Sequence, residues 1–374
     1  MHLAPQPEGI RIAAADADGV TAQITRHDTT RIHIAETGLV EKVAALAARG
    51  DYLLLDGGMY AAWQHQLHPV LVPGRHLVLE PGESGKTLDQ AARIITALHE
   101  AGVDRRTTVT AIGGGVLSDL TGLVANLYFR GVRAAYVPTT LLAMIDAAIG
   151  GKTGVNHPRQ KNLIGSFSHP AEVHIHLDSL TTLPRPQLVS AYGEALKIAI
   201  VDDPDLFDLL AGPLGDTPVT PVLKAIVQRC TLRKLELLGT NAFERDLERS
   251  LNLGHTVAHP LEDITGFRIP HGTAVGIGIA VASHISHARN LLSSADFRRI
   301  LAVMDHLGLP VMDCAFDEQQ LLGRVRDLTL QRGGRSLHYV LPTAVGKVAF
   351  TDAVTGDELL TAVADLRIRA GGTR

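Results

Sequence analysis

Three short stretches of this 374-residue chain carry side chains suited to a metal ion. They are Tyr192-Gly193-Glu194-Ala195-Leu196-Lys197, the run from Asn252-Leu253-Gly254-His255 to His259, and Pro270-His271-Gly272. One carboxylate with two imidazoles leaves coordination positions open, the donor set of a catalytic zinc site. In a chain with 18 histidines, spacing alone does not separate such ligands from structural or surface histidines.

A second constellation is built for phosphate. A β-branched run over 108–112 ends in Gly113-Gly114-Gly115, and an apolar-periodic helix is expected over 117–129. Strand, glycine turn and helix form the unit that lets backbone N–H groups approach a pyrophosphate. A further strand over 134–137 runs into Pro138-Thr139-Thr140. A polar segment with Asp146, Lys152, Asn156, Lys161 and Asn162 follows. Asp56, at the end of an expected strand over 52–55, suits the ribose hydroxyls of NAD, and equally suits a strand-end turn. Neither SGKT at 84–87 nor GGKT at 150–153 is a P-loop. That motif needs a glycine where Glu80 and Asp146 stand.

These residues need a scaffold. Residues 9–36 read as edge strands or a hairpin, and 40–48 and 88–101 as helices, with strands over 76–79 and 173–175. Alternation of strand and helix up to about residue 180 implies a mostly parallel, Rossmann-like sheet. Beyond Pro186 the periodicity is helical: 187–200, 206–210, 219–238, 245–262, 272–289, 294–307, 318–328 and 357–366. The expected fold is therefore an α/β domain over 1–180 and a helical domain over 181–374, with the boundary at 180–185. The active site is expected in the cleft between them. A net charge of −4 offers nothing to nucleic acid or an anionic membrane. Cys230 and Cys314 stand apart, the N-terminus lacks a signal-peptide pattern, and the apolar run over 274–282 is too short to span a bilayer. A cytoplasmic protein is expected.

The stretch over 112–162 resembles the sugar phosphate cyclases, the superfamily of 3-dehydroquinate synthase. The matching motifs are GGGVxxDxxG, YFRG, PTTLL, DxxxGGKTxVN and KNxIG. GEALK, NLGHTxxH and HGxAVG resemble the family's three metal-ligand segments, in the same order. The resemblance implies Glu194, His255 and His271 as ligands of Zn²⁺ or Co²⁺. It implies NAD held by Asp56, Glu83, Lys86, Gly114, Gly115, Asp119, Thr139, Thr140, Lys161 and Thr182. Lys152, Asn162 and Arg130 match the phosphate clamp, with Arg130 supplied by the partner of a homodimer. Asp146, Lys197, Lys234 and Asn252 match residues on the substrate hydroxyls, and Arg332 is the candidate for a late phosphate contact. His259, one turn past His255, would face the substrate, but Pro260 removes a helical hydrogen bond there and puts that placement at stake.

The implied chemistry is transient oxidation of a ring hydroxyl by NAD, elimination of phosphate, return of the hydride, ring opening and intramolecular aldol closure. Dehydroquinate synthases bind a substrate carboxylate with a Lys and an Arg. Lys234 matches the Lys, whereas Glu248 stands at the Arg position. An anion there opposes a carboxylate. Residues 241–249 resemble 2-epi-5-epi-valiolone synthases, which act on sedoheptulose 7-phosphate. Asn252 and His259 instead resemble dehydroquinate synthase, and a one-residue shift would bring Arg249 into the Arg role. The favoured reading is a sedoheptulose 7-phosphate cyclase. A dehydroquinate synthase, an NAD-dependent polyol dehydrogenase and a non-catalytic binding module are the alternatives. A dehydrogenase would accumulate NADH where a cyclase recycles it.

Overall fold

The computed structural model describes residues 9–16, 19–25, 28–80, 82–158, 160–215, 217–241, 243, 249–313, 316–331 and 339–371. The chain opens with an antiparallel hairpin, β1 (Gly9–Asp16) and β2 (Gly19–Thr25). Then come β3 (Arg31–Ala35), α1 (Leu39–Arg49), β4 (Tyr52–Asp56), α2 (Gly57–Leu67), β5 (His76–Leu79) and α3 (Leu88–Glu100). The sheet continues with β6 (Thr108–Gly113), α4 (Gly115–Leu127) and β7 (Arg133–Pro138). A second hairpin, β8 (Lys152–His157) and β9 (Gln160–Phe167), precedes β10 (Glu172–His176).

Six of these strands form one parallel sheet in the order β3-β10-β7-β6-β4-β5. Leu53, Leu54 and Leu55 of β4 are all but inaccessible, as expected of a strand covered on both faces. From β4 the chain moves outward to β5, then returns to the other side of β4 as β6. The strand order therefore reverses between β4 and β6. A crevice opens there at the strands' C-terminal ends, where doubly wound sheets bind ligands.

The remainder is helical: α5 (Arg185–Asp202), α6 (Pro204–Ala211), α7 (Pro221–Leu238), α8 (His255–Ile264), α9 (His271–Ala288), α10 (Ser294–Leu307) and α11 (Glu318–Gln331). A hairpin of β11 (Tyr339–Ala344) and β12 (Lys347–Thr351) leads to α12 (Gly356–Arg369). α9 lies at the centre of this half, with nearly its whole length buried. Among the described residues no helix is long and apolar enough to cross a membrane. Cys230 is a free, buried thiol, and Cys314 lies outside the described residues.

Two expectations need correction. Of the helix expected over 245–262, residues 245–248 lie outside the described residues, and the described part is α-helical only from His255. Residues 250–252 form a single 3-10 turn, and Gly254 breaks the helical path with φ +81°. The polar segment after Lys152 is a β-hairpin, which the sequence reading did not anticipate. β8 buries the consecutive residues Thr153, Gly154 and Val155, and β9 is mostly polar and open to solvent, so neither strand shows an apolar alternation.

Candidate active site

The three candidate ligands come from helices that glycines allow to touch. Gly193 on α5 lies against Gly272 on α9, so that a Cβ on Gly193 would overlap the Gly272 carbonyl. A Cβ on Gly272 would in turn overlap the carbonyl of Ser190. On the other side of α9, Gly278 faces the Gly254 carbonyl, and a Cβ on Gly254 would lie 2.7 Å from the Val275 carbonyl oxygen. Backbone-to-backbone contact of this kind excludes every other residue type. It brings Glu194 beside the start of α9, where His271 stands, and beside the start of α8, where His255 stands.

The ligand atoms converge. His255 Nε2 is 3.6 Å and His271 Nε2 3.4 Å from Glu194 Oε1, and one atom from each residue fits within 4.8 Å of the others. Glu194 Oε1 is buried with no hydrogen-bond partner among the described residues, an arrangement that suits a cation. Each imidazole is oriented through its other nitrogen: His255 Nδ1 meets the Leu253 carbonyl at 3.2 Å, and His271 Nδ1 meets Glu262 Oε2 at 3.0 Å. Such partners select the tautomer that turns Nε2 toward an ion.

Burial would raise the Glu194 carboxyl, but the Lys197 ammonium, which donates to it, and the two histidines hold it well below the usual range. Burial, with Lys197 nearby, pulls His255 far down, leaving a neutral imidazole able to ligate. Burial also pulls at His271, but Glu194 and Glu262 on either side outweigh it and push that imidazole up to about 10. A metal ion entering there would compete with that proton.

These residues open into a cleft of about 1240 Å³, room for a dinucleotide and a sugar phosphate together. Its sheet side is the β4/β6 crevice. Asp56 ends β4 and caps α2 through the Met59 N–H at 3.0 Å, so the turn role and a position on the cleft wall coexist. Gly113 abuts Asp56, since a Cβ there would lie 2.8 Å from the aspartate Cβ. α4 starts at Gly115 with no side-chain cap, leaving its first N–H groups for an anion.

Lys86 is buried and donates to Asp119 Oδ2 and Asn162 Oδ1, both at 2.6 Å. Burial pushes the Asp119 carboxyl up to about 6 despite that ammonium. Asn156 donates to Glu83 at 2.8 Å and accepts from the Asn162 N–H at 2.9 Å. Thr182 accepts from the Trp63 indole at 2.9 Å, and Thr139 and Thr140 line the same wall.

Asp146 sits on a one-turn π-helix, Ala143–Ala147, a geometry that often marks functional sites. Lys234 donates to its carboxylate and, at 2.9 Å, to its backbone carbonyl. Burial would raise Asp146, but Lys234 outweighs it and lowers its pKa. Lys152, Lys161, Lys197, Asn252 and His259 also line the cleft. α8 continues through Pro260, and the His259 ring lies 5.1 Å from that of His255 and 6.2 Å from that of His271.

Arg130 is exposed, adopts φ +63°, and does not line this chain's cleft. Glu248 and Arg332 lie outside the described residues. Sequence reasoning missed Glu262, although its position seven residues after His255, two helical turns on the same face, was the available signal.

The fold that frames this cleft recurs in known proteins. The model of the 3-dehydroquinate synthase N-terminal domain matches residues 76–190, and that of the C-terminal domain matches 191–327. The 2-epi-5-epi-valiolone synthase of Streptomyces hygroscopicus subsp. jinggangensis 5008, solved with NAD⁺ and Zn²⁺ bound, is 31% identical. It aligns over 94% of this chain and 99% of its own, with a TM-score of 0.84. The chain belongs to the sugar phosphate cyclases of the 3-dehydroquinate synthase family.

The fold of this cyclase extends further. A 2-deoxy-scyllo-inosose synthase complexed with carbaglucose-6-phosphate, NAD⁺ and Co²⁺ matches at TM-score 0.76 and 23% identity, over 93% of this chain and 98% of that one. A probable glycerol dehydrogenase from Sinorhizobium meliloti 1021 shares the fold at TM-score 0.63 and 17% identity, over 94% and 100%.

Proposed function

We propose that this cyclase uses NAD and a divalent metal, Zn²⁺ or Co²⁺, to convert sedoheptulose 7-phosphate into a valiolone-type cyclitol by phosphate elimination and intramolecular aldol closure. The observation that carries the reading is a single cleft holding both a dinucleotide-type crevice and the Glu194–His255–His271 set, with Lys152, Lys197 and Lys234 between them. A dehydrogenase of the same fold has no use for that density of cations. When bound, the dinucleotide takes up and returns a hydride while the ion acts as a Lewis acid on the substrate.

The protein supplies the rest. Asp56, Glu83, Lys86, Gly114, Gly115, Asp119, Thr139, Thr140, Lys161 and Thr182 hold the cofactor. Lys152 and Asn162, on the β8–β9 hairpin, bind the departing phosphate dianion, which favours cations and strong donors. Asp146, Lys197, Lys234 and Asn252 hold the sugar hydroxyls, and His259 faces the substrate as a proton acceptor or donor. Residues 1–180 form the cofactor half and 181–374 the metal and substrate half. Arg130, exposed and away from its own cleft, serves the partner's phosphate in a homodimer. Mixing inactive Arg130→Ala with inactive Lys197→Ala should then restore activity, because a hybrid dimer has one intact site. No restoration despite demonstrated subunit exchange would remove Arg130 from the site.

Two arguments support the substrate. The relative 31% identical over nearly the whole chain is a valiolone synthase. Glu248 also stands where a carboxylate-binding Arg would be needed, and exchanging attraction for repulsion is worth on the order of 3 kcal/mol, about a hundredfold in rate. One observation favours a second reading. Arg249 lines the cleft with Lys234 and Asn252, and could receive the carboxylate of 3-deoxy-arabino-heptulosonate 7-phosphate, as in 3-dehydroquinate synthase. Phosphate release with NAD and Zn²⁺ separates the two. We expect higher kcat/KM on sedoheptulose 7-phosphate; efficient turnover of the carboxylated sugar alone would establish the second reading instead.

A further inference from the structure

Glu262 is a buried acidic group of the cleft that neither the metal set nor the substrate contacts absorb. Its side chain is only 8% exposed, on the face of α8 that carries His255 and His259. Its two oxygens have different partners. Oε2 meets His271 Nδ1 at 3.0 Å, and Oε1 lies 3.6 Å from the Lys161 ammonium. Lys161 comes from β9, on the opposite wall of the cleft. Its ammonium also lies 3.9 Å from Glu83 Oε1 and 3.9 Å above the centre of the Phe267 ring.

That ring is held beneath Lys161 by an unusual turn. Gly266 and Phe267 both have positive φ, +58° and +61°, and the Phe267 N–H donates to the Glu262 carbonyl at 2.8 Å. A left-handed phenylalanine is uncommon, and here the turn sets its ring against the cation. Glu83 is in turn fixed by Asn156, and Asn156 by Asn162. A continuous chain of contacts thus runs from the cofactor wall through Lys161 and Glu262 to a metal ligand.

We propose that Glu262 is the positioning residue that turns His271 Nε2 toward the ion, and that Lys161, bridging Glu262 and the cofactor wall, makes dinucleotide and divalent metal bind cooperatively. The inference rests on the NAD- and metal-dependent reading above. A dinucleotide that orders Glu83 and the β8–β9 hairpin also orders Lys161, and through it the carboxylate that orients His271. Linkage makes the effect reciprocal: the metal must tighten the dinucleotide by the same factor.

The test measures Zn²⁺ affinity of the full chain by competition with a chromophoric chelator, with and without saturating NAD⁺, and records the visible spectrum of the Co²⁺-loaded protein. Glu262→Gln should weaken Zn²⁺ about 10-fold or more, the usual effect of losing an orienting carboxylate, and should shift the Co²⁺ bands. In the wild type, NAD⁺ should tighten Zn²⁺ about 5-fold or more. In Lys161→Met, with NAD⁺ raised to saturation for that variant, the factor should collapse toward one. Unchanged Zn²⁺ affinity and Co²⁺ bands in Glu262→Gln would overturn the positioning role. Full coupling in Lys161→Met, or no coupling in a wild type that binds both ligands, would overturn the bridge. A wild type that binds neither ligand would instead sink the functional reading on which the inference stands.

Discussion

The two walls of the cleft are built by different means. On the sheet side, the groups sit where the chain leaves its strands. Asp56 closes β4, Gly113 closes β6 and Thr139 follows β7, all at one end of a parallel sheet. Adjacency there follows from strand order and needs few special contacts. On the helical side, Glu194 is separated from His255 by 61 positions and from His271 by 77. Nothing in the periodicity of α5, α8 and α9 requires them to meet. The backbone contacts of Gly193 with Gly272 and of Gly254 with Gly278 bring them together. A site made of strand ends should tolerate small changes in packing, whereas a site made by helix-to-helix contact should fail when the helices separate.

The sharpest way to break that contrast is Gly193→Ala. The added methyl has no space against the Gly272 carbonyl, so α5 and α9 must part. We expect a loss of about 3 kcal/mol of folding stability and loss of Zn²⁺ binding, read by denaturant melts and metal analysis. A variant that retains metal and stability would show that the glycine contact is dispensable.

His271→Ala removes a proposed ligand without forcing the helices apart. Metal content and phosphate release should both be lost while the chain stays folded. Full occupancy with full turnover would take His271 out of the site.

Asp203 tests the helical half without touching the cleft. It is buried, caps α6 through the Leu206 N–H at 3.0 Å and pairs with Arg229 and Arg233. Burial would raise its carboxyl, but the arginines and that N–H lower it below the ordinary value. Its contribution is therefore present above the unfolded value of about 3.9 and lost as pH falls through the lower folded value. Asp203→Asn should cost about 2 kcal/mol at pH 7, with part of the wild type's acid-induced loss abolished. Equal stabilities at pH 7 would show the cluster to be energetically idle.

Gly115→Ala probes the sheet wall and should have the smallest effect. Its Cβ would lie 2.9 Å from that of Ala147, closer than two carbons pack, so the π-helical turn must give way, but it meets no backbone carbonyl. NAD⁺ affinity should fall about tenfold, near 1.4 kcal/mol, with a loss of folding stability of about 1 kcal/mol, well below that of Gly193→Ala. A collapse in stability as large as that of Gly193→Ala would erase the distinction between the two walls.

The sequence by itself determined the parallel sheet, the helical second half and many of the side chains that line the cleft. Strand runs ending in Asp56 and Gly113, and the GEALK, NLGH and HGxAVG segments, are local patterns, and local patterns survive without coordinates. It misjudged the start of α8, because helical periodicity does not register a left-handed residue such as Gly254. It passed over the β8–β9 hairpin, because β8 buries three consecutive residues, only one of them a large apolar one, and β9 is mostly open to solvent, so neither carries an alternation to read. Only the tertiary structure decided which groups touch. That Glu262 orients His271 and meets Lys161 from the opposite wall depends on how α8, α9 and β9 pack, and such contacts between distant segments leave no periodic trace in the chain.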